Sequence, residues 1–103
     1  MEFDGVKQER KAIRTAFTKT VNKLDDLLKS AQPDIEEIEI RLEQLYEKYN
    51  TLRDIDKKFF ELYQKSGCSQ EDFDKEYEAA QDYYDKFAEY KVKTNLRNRK
   101  NQR

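Results

Sequence analysis

The stretch from Asp34 to Gly67 constrains this chain more than any other. From Ile35 onward, apolar residues recur at alternating steps of three and four: Ile35, Ile38, Leu42, Leu45, Tyr49, Leu52, Phe59 and Tyr63. One slot in the series, Asp56, is polar, and no Gly or Pro interrupts the run. A seam of period about 3.5 held for about four heptads is the signature of a coiled-coil-type helix. At ~1.5 Å per residue it is a rod of roughly 50 Å. Such a rod cannot bury its stripe alone, so the flanking segments or another chain must cover it.

Upstream, Val6, Ile13, Phe17, Leu24, Leu27 and Leu28 form a sparser stripe, with Thr20 and Val21 in its middle. Between them lie Lys7, Arg10, Lys11, Arg14, Lys19 and Lys23, which predicts a basic outer face. Asp4 is placed to cap this first helix and Gly5 to open it, giving a span of about 5–30. Pro33 then disfavours a helical Gln32 and cannot donate a backbone hydrogen bond. Asp34 with Glu37 reads as an acidic capping box opening a second helix over about 34–66. That helix carries an extra apolar flank, Tyr46, Ile55, Phe60 and Leu62, and a widened stripe suits a central helix touching two neighbours.

Gly67 is suited to the left-handed turn that ends a helix, with Lys65 in the last turn. Ser69 with Asp72 resembles another capping box. The third stripe is Phe73, Tyr77, Ala80, Tyr84 and Phe87, fading through Lys91 and Thr94, so a helix over about 70–96 is expected. Short connections make successive helices antiparallel neighbours. The expected fold is all-α: three long helices in an up-down-up bundle or coiled coil over residues 1–96, with 97–103 a basic, disordered tail.

Composition agrees with long helices. Of 103 residues 42% are charged, and only two are Gly and one Pro, too few punctuators for a β fold. The seven Tyr and six Phe at helical spacing argue against a disordered chain. Histidine is absent and Cys68 is the single cysteine. That excludes an intramolecular disulfide and the usual zinc constellations. The pairs Asp25/Asp26, Glu36/Glu37 and Glu71/Asp72 sit at helix starts or among solvated charges, where carboxylates lack the water-poor cleft that acid–base work needs. The chain is therefore expected to be no enzyme, with no cofactor, metal or small-molecule substrate. The segment MEFDGVKQER has no apolar leader core and no stretch is apolar enough to span a membrane, so an intracellular, cytoplasmic setting is expected.

The near-neutral total of −1 conceals a segregation. Residues 34–90 carry 17 acids and 8 bases, whereas from Lys91 onward there are six bases and no acid. Two candidate surfaces follow. Tyr46, Tyr49, Leu52, Ile55, Phe59, Phe60, Tyr63 and Tyr84 are candidates for self-association, a dimer first, because three narrow stripes make a slim core. Arg10, Lys11, Arg14, Arg97, Arg99, Lys100 and Arg103 are candidates for contact with RNA or an anionic membrane. Asp56 either specifies register at a core position or turns to water while Ile55 takes its slot; the cost of a buried unpaired carboxylate favours the second. Tyr77, Tyr83, Tyr84 and Tyr90 are either a base-stacking strip or rings at the core boundary. Cys68, after Gly67, is expected in an exposed loop.

The order of these segments resembles the N-terminal Gag region of BEL/Pao-type LTR retrotransposons. The resemblance is carried by the basic helix RKAIRTAFTKTVNKLDDLL, the Pro33-Asp34 break and the long helix IEEIEIRLEQLYEKYNTLRDIDKKFFEL. An acidic segment with Asp74, Glu76, Tyr77, Glu78, Tyr83 and Tyr84 follows. It spans roughly residues 7–93. It implies a structural, assembling segment of a Gag or Gag-Pol polyprotein, or of a host gene derived from one, and it implies no site residues.

Overall fold

The computed structural model describes residues 2–101, with side chains described as far as Thr94. It is all-α: α1 spans Glu2–Lys29, α2 Ile35–Lys65 and α3 Gln70–Asn101. The three run up, down and up in a slender body of 54 × 23 × 17 Å. Both breaks have the chemistry the sequence predicts. Asp34 Oδ1 accepts from the Glu37 N–H at 3.2 Å, and Ser69 Oγ accepts from the Asp72 N–H at 3.1 Å. Between them Gly67 takes φ 80°, where a side chain would be strained.

Two boundaries differ from expectation. Helix α1 opens at Glu2, not near residue 5, and Asp4 and Gly5 lie within it. Phe3 explains this: its ring stacks on Phe59 at 5.6 Å and lies 6.1 Å from Tyr63, which anchors the first turn. Helix α3 continues to Asn101, past the expected end near 96, because neither Gly nor Pro stops it.

The helices meet in heptad layers. Phe3 faces Tyr63, Arg10 faces Asp56 and Phe17 faces Tyr49, each pair one heptad along α1 and one heptad back along α2. From α3, Glu76 and Tyr83 join the second and third of these layers, and Tyr90 reaches Asp25 one heptad further on. Helix α3 is thus parallel to α1, and α2 is the central helix. The extra flank of α2 divides as that role requires: Ile55 and Leu62 pack toward α1, Tyr46 and Phe60 toward α3.

The core falls into two clusters. The larger holds Phe17, Val21, Leu24, Ile38, Leu45, Phe87 and Tyr90; the smaller holds Val6, Ile55 and Phe59. Between them lies the layer of Arg10, Asp56 and Glu76.

Candidate functional site

The α2–α3 seam is built from rings. Tyr49 stacks on Phe87 with centroids 4.4 Å apart and planes inclined by 5°, and Tyr46 meets the same Phe87 edge-on at 5.3 Å. Toward the other end, Phe60 meets Phe73 edge-on at 5.3 Å. Rings pack through edges and offset faces and hold helices together over a longer reach than aliphatic side chains do. The outer margin of this seam stays open. Tyr77 leans on Phe60 at 5.9 Å and Tyr84 on Tyr49 at 6.0 Å, yet they remain 57% and 46% exposed. One heptad separates the two, so they share one side of α3. Burial raises the Tyr49 phenol above its ordinary value.

The eight self-association candidates therefore divide. Tyr84 is exposed, and Tyr46, Tyr49, Phe60 and Tyr63 are half-buried. Leu52, Ile55 and Phe59 are buried inside the chain's own core and offer nothing to a second copy. Ile55 and Phe59 are satisfied intramolecularly because Val6 and Phe3 of α1 pack on them.

The basic candidates divide as well. Lys11 is exposed and Arg14 half-buried, but Arg10 is only 5% exposed and does not belong to an outer face. Its Nε donates to Asp56 Oδ1 at 2.7 Å and its Nη1 to Glu76 Oε1 at 2.6 Å, one partner from each of the other helices. The guanidinium also lies 3.9 Å over the Phe59 ring. Asp56 accordingly does not turn to water: its side chain is 14% exposed and paired, although Ile55 beside it is buried too. The pairing removes the cost of a lone carboxylate on which the opposite expectation rests. The side chains of Arg97, Arg99 and Lys100, and all of Arg103, lie outside the described residues. Because α3 is parallel to α1, the start of α1 and the end of α3 stand at opposite ends of the bundle.

The tyrosines do not form one strip. Tyr83 and Tyr90 face α1, where Tyr83 meets Phe17 at 5.6 Å and the Tyr90 hydroxyl donates to Asp25 Oδ1 at 2.9 Å. Burial, then this bond to a carboxylate, pushes the Tyr90 phenol up to about 12. Asp25, held by Lys29 and then Tyr90, lies below the usual carboxylate range. Cys68 is half-buried, not exposed as its loop position suggests.

Of the three buried polar residues among those described, Thr20 and Thr94 fall on the stripes and Arg10 on none. Thr94 is fully buried and returns its hydroxyl to the Tyr90 carbonyl at 2.9 Å, which lets a polar side chain sit in the core. Arg10 follows Phe3 and precedes Phe17 and Leu24 at heptad spacing, a core register visible in the sequence once position is weighed above residue type. Among the described residues, no group of three or more carboxylates or thiols could hold a metal ion, and no helix is long and apolar enough to cross a membrane. No family model, no curated protein and no solved structure matches this chain.

Proposed function

We propose that the chain is a non-enzymatic, self-associating scaffold module, and that a second copy covers the outer margin of the α2–α3 seam. One observation carries the reading: Tyr77 and Tyr84 stand one heptad apart on α3, both large, aromatic and about half exposed. Aromatic residues at heptad spacing on an open helix face are what a coiled-coil-like contact buries. The half-buried Tyr46 and Tyr49 extend the same contact onto α2. An intracellular assembly segment of a Gag-like polyprotein is the context that the sequence resemblance supplies for such a module.

Sedimentation equilibrium across the micromolar range tests it. The wild-type chain is expected to dimerise, and Tyr77→Ser/Tyr84→Ser to be a folded monomer. A wild-type chain that stays monomeric throughout would refute the proposal.

A further inference from the structure

On the side of the bundle between α1 and α3, beside the ionic layer, lies an open cleft of about 530 Å³. Steps of three and four along α1 bring Lys7, Arg10, Lys11, Arg14 and Lys19 to its walls, and α3 contributes a single carboxylate, Glu76. That carboxylate is already held by Arg10 at 2.6 Å. Four further cations thus face an acid that is spoken for.

The buried ends of the two arginines matter more than the count. The Arg10 side chain is 6% exposed, and its Nε and Nη1 are engaged, but Nη2 is buried with no partner among the described residues. Arg14, one turn further on, lays its guanidinium 4.8 Å over the Tyr83 ring. Its Nε and Nη2 are likewise buried without a partner among the described residues. Buried donors left unpaired are costly, and native structures rarely retain them without an acceptor. Burial, and then the charge of Arg10, pull the Arg14 guanidinium below its ordinary value. An anion between the two would reverse both effects.

We propose that this cleft is a binding site for a phosphate group, which bridges the Arg10 and Arg14 guanidinium groups. A carboxylate offers two oxygens in one plane; a phosphate offers oxygens in several directions and about two charges near neutral pH, matching donors from two forks. Lys7, Lys11 and Lys19 at the walls neutralise the remaining charge, and the Thr15 and Thr18 hydroxyls lie within the same lining. The site stands apart from the Tyr77–Tyr84 margin and does not depend on self-association.

The test is an NMR titration of the full chain that follows arginine Nε–Hε signals at constant ionic strength. Three probes are used: inorganic phosphate, a 5′-phosphorylated oligonucleotide and its unphosphorylated twin. Saturable shifts of the Arg10 and Arg14 signals are expected, with binding about tenfold weaker in Arg14→Gln at unchanged helical content. Lys11→Gln, on an exposed position, is expected to weaken binding less while leaving the fold untouched. Shifts with inorganic phosphate support a site for small phosphates. Shifts with the phosphorylated oligonucleotide alone support a site for a nucleic-acid terminus. The site is overturned if neither phosphate-bearing probe shifts either signal, if both oligonucleotides bind equally, or if both variants bind as the wild type does.

Discussion

Helix α2 has two neighbours and meets them in different ways. Toward α1 the seam has a sealed aliphatic stretch: Leu24, Ile38, Leu45 and Leu52 have no exposed surface, and rings from α1 pack on α2 in the layers beside it. Toward α3 it is aromatic and open, with Phe87 buried but Tyr77 and Tyr84 left in solvent. The difference follows from side-chain shape. Leu and Ile let two helices approach closely and bury completely, whereas rings hold a third helix further out and leave an edge uncovered. The sealed seam maintains the fold. The open one has surface to spare for a second copy.

The ionic layer lies where the two seams meet. Arg10 is the only described residue that bonds through its side chain to both other helices. It fixes which layer of α1 stands opposite which layers of α2 and α3, the role best attested for polar groups at heptad core positions. A one-heptad slip of α2 would put Tyr49 or Tyr63 opposite Arg10 in place of Asp56.

The contrast can be broken from its strong side first. Leu45→Ala, in the sealed seam, is expected to cost about 4 kcal/mol because it removes a fully buried side chain and leaves a cavity. Urea unfolding followed by far-ultraviolet circular dichroism measures it. Next comes Asp56→Ala, which leaves Arg10 buried with Glu76 as its remaining partner; about 3 kcal/mol is expected. The same unfolding curves would show a loss below 1 kcal/mol if the pair were merely a surface contact.

Tyr90→Phe should have the smallest effect near neutral pH and the most characteristic pH dependence. The folded phenol titrates near 12, above the ordinary value near 10. Its contribution is therefore complete below pH 10 and is lost as pH rises from 10 toward 12, where only the unfolded chain releases the proton readily. Tyr49 and Tyr63, both raised by burial, act in the same direction. Thermal unfolding across that window should fall less steeply in the Tyr90→Phe variant. On the acid side, Asp25 and Glu89 are held below the usual carboxylate range by Lys29 and Lys93, so their contribution is lost as pH falls through their lowered values.

The architecture was legible in the sequence because it rests on punctuation and period. Pro33, Asp34, Gly67 and Ser69 each act through local backbone chemistry, and the divided flank of Tyr46, Ile55, Phe60 and Leu62 marks α2 as the central helix. The ionic layer was not legible, because a charged residue in a heptad slot reads as surface until its partners are known. Arg10 finds them in Asp56 and Glu76, 46 and 66 residues away. The candidate surface was half legible for a related reason. Periodicity places Leu52 and Tyr84 alike on inward stripes, and only the spacing between the assembled helices decides which one is covered.

The central claim is that the open seam is where a second copy binds, and thermal unfolding at several protein concentrations tests it most directly. Assembly ties the midpoint to concentration by mass action. The wild-type midpoint should rise with concentration, and that of Tyr77→Ser/Tyr84→Ser should not. A wild-type midpoint that stays constant across a hundredfold range of concentration would contradict the account.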